Sequence, residues 1–249
     1  QKTYGIKIST SQVNEAIQVL QGHFVSKEAE YQKYCQIDIL ENDPAGMIKR
    51  LQSYTERLTH IPFYTQVEDI IKVGIARYKE KYLPGIKSED PFVLYEKYSR
   101  RDVSLLMNCG KDLSSIMYGM KRIENDVFIF ITYHKEESQD EKNYVDGKPD
   151  YADAFEDNLI FKWDSQIGKG LDSSYMKDVL GADRKHLFVK KSDAETSFYY
   201  MGQFDVLEAR NAQKEDNRGR MQPITKVTMK MHHAVREDLL RYLQSHITA

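Results

Sequence analysis

The chain has 249 residues, 41% of them hydrophobic and 30% charged, with a formal net charge of -2. That length permits one large or two modest domains with a real core, and the near-neutral balance excludes a global bias toward nucleic acid or membrane. No run approaches the roughly 20 apolar residues of a bilayer-spanning helix, no signal peptide is readable, and the start at Gln1 is read as a piece of a longer protein.

Residues 1–95 read as helical. Val13, Ile17 and Leu20 step along one helix face, and Ser26 with Glu28 gives a cap and an acidic first turn. Asp43-Pro44 reads as a helix start. Val67, Ile70, Ile71, Ile75 and Tyr78 keep helical spacing until Pro84-Gly85. These segments predict a helical bundle that connects or docks, with no catalytic constellation. Cys35 and Cys109 form no CxxC pair, so no zinc ligand set is implied and both read as buried free thiols of a reducing compartment.

After Asp90-Pro91 the pattern changes. A short helix is predicted over 92–98. Strands are predicted over 127–133, 158–163, 187–191, 198–201, 204–209 and 226–231, separated by Gly and Asn/Asp turns at Asp146-Gly147, 168–170 and 217–219. The loop over 210–220 reads equally as a second phosphate-contacting segment and as mobile surface, and a last helix is predicted over 234–243. Together they predict an α+β chain: a helical domain over 1–95, then a curled β-barrel-like domain over 96–249 with flanking helices.

Charge is unevenly placed. Nine acids over 136–157 face only Lys142 and Lys148, while 97–122 carries six bases against Asp102 and Asp112. Such local stretches can bind phosphates in a near-neutral chain. Several chemistries have no motif here: there is no GxxxxGK[ST], no GxGxxG and no His-x-Lys. His232-His233 would point to opposite faces of a strand, which disfavours a metal site.

The densest chemistry lies in DYADAFEDNLIFKWDSQ, 150–166. Tyr151, Asp153 and Phe155 alternate, as do Phe161, Trp163 and Ser165, so extended backbone puts each set on one face. A carboxylate among aromatic rings suits a planar, hydrogen-bonding guest such as a nucleobase. The competing reading is core packing, which period-two aromatics usually serve.

Several phrases in order carry a resemblance: YSRRDVSLLMNCGKDLSSIMYGMK over 98–121, VFIFITYHK over 127–135, YADAF, FKWDSQ, HLFVKK over 186–191 and FYYMG over 198–202. They resemble the C-terminal region of SauUSI-like ATP-dependent type IV restriction endonucleases, bacterial phospholipase D nuclease–helicase proteins. The resemblance implies an SRA-like domain that binds duplex DNA and flips out 5-methylcytosine or 5-hydroxymethylcytosine, preceded by a helical coupler. It implies no catalysis or cofactor in this chain. Cleavage, ATP and Mg would belong to nuclease and helicase parts of the parent, a cytoplasmic antiviral enzyme with no membrane partner. The expected pocket is Tyr151, Asp153, Phe155, Trp163, Ser165 and Gln166, with Asp153 accepting from the cytosine amino group. The expected phosphate contacts are Arg100, Arg101, Lys111, Ser114, Ser115 and Lys121, on a loop that Asn108, Gly110 and Gly119 let approach DNA. Arg101 could instead pair with Asp102 at a helix end. The alternatives are a reader of RNA or methyladenine, a partner-docking domain of a helicase, and a metal nuclease.

Overall fold

A computed structural model describes residues 9–25, 28–34, 38–43, 47–81, 91–134, 144–145, 148–149, 153–216 and 218–245. In chain order the elements are α1 (Thr10–Leu20), α2 (Glu28–Tyr34), β1 (Leu40–Asn42), β2 (Ile48–Arg50), α3 (Gln52–Arg57), α4 (Ile61–Lys81), β3 (Lys97–Tyr98) and α5 (Arg100–Leu106). They continue as β4 (Met120–Ile123), β5 (Asp126–His134), β6 (Tyr144–Val145), β7 (Lys148–Pro149), β8 (Ala154–Phe155), β9 (Ile160–Asp164) and α6 (Ser174–Leu180). The last four are β10 (Arg184–Ser192), β11 (Phe198–Glu215), β12 (Met221–Met231) and α7 (Glu237–Gln244). The chain divides into two compact units: 1–93 with 101–114, and 94–100 with 115–249.

The first unit is helical with one small hairpin. Ser9 caps α1 in a reciprocal capping box with Gln12, which satisfies two terminal N–H groups. Of the expected face, Ile17 is buried while Leu20 is 63% exposed. Asp43 does not start a helix. Its N–H donates to the Met47 carbonyl and its Oδ1 accepts from the Met47 N–H, closing the β1–β2 turn. A short polar side chain next to proline serves a turn as well as a cap, so the sequence signal was ambiguous. The α4 helix forms, but Ile70, Ile71 and Val73 are more than half exposed. A packed helical bundle is therefore not what the described residues form. Ser26, Cys35, Pro44 and Pro84-Gly85 lie outside the described residues.

The second unit is an eight-stranded mixed sheet ordered β4-β5-β10-β11-β12-β9-β8, with β3 also paired to β11. The β5–β10 ladder is parallel and the others are antiparallel. Among the described residues no ladder joins β4 to β8, so the expected barrel is an open sheet. The run VFIFITY is continuously apolar from Val127 to Ile131 because β5 pairs on both edges and is buried there on both faces. Val127, Ile129 and Ile131 pack with Trp163, Phe161, Met176, Val179 and Leu239 in the main core. Phe128 and Phe130 face the other way. Phe128 stacks on His186 at 4.8 Å, and Phe130 stacks on Phe188 at 5.1 Å.

The two strands expected over 198–209 are one strand of 18 residues, β11. Its first part pairs with β10 and β3, and its remainder pairs with β12. Extra residues at the change of partner, Met201 against β10 and Leu207 against β12, mark bulges. Bulges raise local twist and let a strand leave one set of neighbours for another. Gly202 holds φ at 100°, and an added Cβ would meet Leu94 Cδ1 at 3.0 Å. The supposed loop over 210–220 is mostly this β11–β12 hairpin.

No helix spans 92–98. Tyr95 holds φ at 67°, donates its N–H to the Tyr200 carbonyl, and leads into β3. The helix begins instead at Arg100. The last helix starts at Glu237, three residues after its expected start, and buries Leu239 and Leu243.

Candidate functional site

The β8–β9 pairing fixes the centre of the site. Ala154 faces Lys162 and Phe155 faces Phe161, so Asp153 arrives beside the end of β9. There its Oδ1 accepts the Asp164 backbone N–H at 3.0 Å, and the side chain is 8% exposed. Trp163, paired with Val227 of β12, is buried one residue earlier.

The α6 helix delivers the group that the sequence pattern did not reveal. Ser173 caps it by accepting the Met176 N–H, and Met176 and Val179 anchor it in the core. Tyr175 is thereby set with its ring 6.3 Å from Trp163 at an interplanar angle of 30°. Its hydroxyl is buried and has no hydrogen-bond partner among the described residues. Burial, and then the Asp153 charge, push this phenol above its ordinary range, so it stays protonated. Lys169 Nζ lies 5.9 Å from the ring centroid.

Two further groups border the phenol. A Cβ added at Gly119 would stand 2.6 Å from Gln166 Nε2 and 3.3 Å from the Tyr175 hydroxyl, and Gly119 holds φ at 73°. Gln166 donates from Nε2 to the Tyr118 carbonyl at 3.2 Å. Asp164 pairs with Lys226 Nζ at 3.3 Å. Burial raises the Asp164 carboxyl above its ordinary value, Lys226 opposes that shift, and Asp153 adds to it. The result is a partly buried group with two acids, two ammonium groups, a buried indole and a phenol hydroxyl. Such a set can accept hydrogen bonds from an amino group and donate one to a ring nitrogen.

Of the expected pocket residues, Asp153, Trp163 and Gln166 come together. Phe155 and Trp163 are both core residues, 4% and 3% exposed, and Phe155 is edge-on to Phe161 at 4.7 Å. Ser165 holds the turn after β9: its Oγ accepts the Thr225 N–H at 2.8 Å and donates to the Lys169 carbonyl at 2.7 Å. Tyr151 lies outside the described residues, as does most of the acidic stretch. Tyr175, Asp164 and Lys226 were missed. The readable signal for Tyr175 was the cap at Ser173 followed by apolar Met176, Val179 and Leu180.

The expected phosphate contacts divide between the units. Arg101, Lys111 and Ser114 belong to the first, and Arg100, Ser115 and Lys121 to the second. Arg101 does not pair with Asp102. It forks onto Glu30 at 3.0 and 3.1 Å and bonds Asp112 at 2.7 Å. Ser114 donates its N–H to the same Asp112. Lys111 and Ser115 are exposed. Arg100 is half-buried, with its guanidinium 4.8 Å from the Tyr118 ring centroid and 5.1 Å from that of Phe198. Lys121 stands on β4 opposite Phe128. Among the described residues no three His, Cys, Asp or Glu side chains gather as metal ligands.

The chain belongs to the family described as "Domain of unknown function (DUF3427)", whose model matches residues 92–243. A second model, "Domain of unknown function (DUF8090)", matches residues 1–82. No curated protein matches. Among solved structures the chain is similar to "Sulfur binding domain and SRA domain of ScoMcrA complexed with phosphorothioated DNA", at 10% identity and a TM-score of 0.32. That match covers 62% of this chain and 45% of the other. It is also similar to "MspJI Restriction Endonuclease in Complex with 27-mer Oligonucleotide", at 10% identity and a TM-score of 0.28, covering 47% of this chain and 37% of that one. The chain thus spans less than half the length of either structure.

Proposed function

We propose that this chain is the DNA-recognition module of a modification-dependent restriction enzyme. It binds duplex DNA, extrudes 5-methylcytosine or 5-hydroxymethylcytosine, and holds the flipped base beside Asp153, Trp163 and Tyr175. The supporting observation is the gathering, at one end of β9, of a carboxylate, a stacked aromatic pair and a hydroxyl without a partner among the described residues. Flipping costs a few kcal/mol, which stacking and edge hydrogen bonds in such a site would return. The ordered phrases that resemble SauUSI-like type IV enzymes point the same way. In this reading the chain cleaves nothing itself. A nuclease part of the parent would cut, and a helicase part would use ATP with Mg.

Asp153→Asn tests the site. The amide oxygen can still accept the Asp164 N–H, so the fold is retained, while the charge that favours a cytosine amino group is lost. The expected result is weaker binding of the 5-methylcytosine duplex and reduced discrimination against thymine, with an unchanged melting temperature. Unaltered affinity and discrimination would remove Asp153 from the role.

One observation favours a second role for the first unit. Ile70, Ile71, Val73 and Ile75 of α4 are 40–71% exposed, an apolar surface suited to docking the parent's helicase. That role predicts that Ile70→Asp with Ile71→Asp leaves DNA binding intact and uncouples it from ATP hydrolysis in the whole enzyme.

A further inference from the structure

The Tyr175 hydroxyl is an anomaly in a well-packed unit. Buried polar groups are nearly always hydrogen-bonded, because leaving one unmade forfeits its hydration without return. This hydroxyl is buried and has no partner among the described residues. Its helix is fixed by the Ser173 cap and by Met176 and Val179 in the core, so the ring is held in place. Glycine at position 119 keeps a side chain away from it. The Asp153 charge acts on it, yet no hydrogen bond joins the two groups. A carboxylate that accepts and a protonated phenol that donates are therefore neighbouring but separate contacts.

We infer that the Tyr175 hydroxyl is a specificity-determining contact of the base site, donating to a ring nitrogen that adjoins the amino group held by Asp153. The inference rests on the reader function proposed above and names which base chemistry the site takes. An amino group next to an unprotonated ring nitrogen is the edge that cytosine and adenine present. Thymine carries the same 5-methyl group as 5-methylcytosine. Its edge places a carbonyl oxygen against the Asp153 carboxylate and an N–H against the phenol. The site thus rejects thymine through its edge while both bases satisfy any methyl contact.

The test is equilibrium binding of the 249-residue chain to matched duplexes at one fixed salt concentration. The central base is cytosine, 5-methylcytosine, thymine opposite guanine, or 3-deaza-5-methylcytosine, which lacks the ring-nitrogen acceptor. The native chain is expected to bind the 5-methylcytosine duplex about tenfold or more tightly than the thymine duplex, although the mismatch is easier to open. Tyr175→Phe is expected to lose about tenfold on the 5-methylcytosine duplex and nothing further on the 3-deaza duplex, since both changes delete one bond. Its melting temperature is expected to be unchanged or higher, because an unsatisfied hydroxyl is removed. Native indifference to the 3-deaza base would overturn the assignment without any mutant. So would a Tyr175→Phe chain that keeps native affinity, or one that melts lower and binds all duplexes equally less well. If the native chain binds cytosine and 5-methylcytosine alike, the reader function itself fails and the assignment falls with it.

Discussion

Asp126 illustrates how a residue that looks catalytic serves the fold. It accepts from Arg184 at 2.6 and 2.7 Å and bonds His186 Nε2 at 2.9 Å, while His186 Nδ1 meets the Tyr200 hydroxyl at 3.0 Å. Asp126 and His186 are 2% and 1% exposed, with no room for a substrate between them. Burial pushes the Asp126 carboxyl up, but hydrogen bonds from Arg184 and His186 outweigh it and hold the pKa below its ordinary value. The contribution to stability is therefore present above the unfolded value of about 4 and lost as pH falls through the lower folded value. Asp126→Asn is expected to cost about 3 kcal/mol at neutral pH. It should also flatten the fall in melting temperature on the acid side of pH 4, as read by thermal melts across pH. An equal acid slope in native and variant would remove Asp126 from that role. At this scale the site was half legible in the sequence. Asp153 and Trp163 stood out because alternation marks strand faces. Tyr175 did not, because it comes from another element and only folding brings a helix tyrosine to a strand carboxylate.

At the scale of elements, buried strands were readable and changes of partner were not. The runs of β5, β9 and β10 gave themselves away by apolar continuity or alternation. β11 read as two strands because Gly202-Gln203 interrupts its pattern, yet the backbone continues through both. Phe92, Tyr95 and Tyr98 have helical spacing, but Tyr95 serves a turn into β3 and Tyr98 packs edge-on to Phe188. Tertiary pairing outweighed local propensity there. Gly202→Ala tests how tightly the bulge is specified. Its positive φ and the 3.0 Å approach to Leu94 predict destabilisation of about 1–2 kcal/mol by chemical denaturation. A neutral effect would mean that the bulge can shift register without loss.

For the whole molecule, phosphate binding and fold stability should separate by residue. Arg101 is tied to Glu30 and Asp112, so Arg101→Ala should lower the stability of the first unit and leave the salt dependence of DNA binding unaltered. Lys121→Ala should reduce the salt slope by about 1 if its ammonium meets a phosphate. A slope change for Arg101 alone would reverse these assignments. The most direct measurement is the affinity of the 249-residue chain for matched duplexes bearing one cytosine, 5-methylcytosine or 5-hydroxymethylcytosine, at a single stated salt concentration. The proposed function predicts binding to a modified duplex at least about tenfold tighter than to the unmodified one. Equal and salt-sensitive affinity for all three would contradict it.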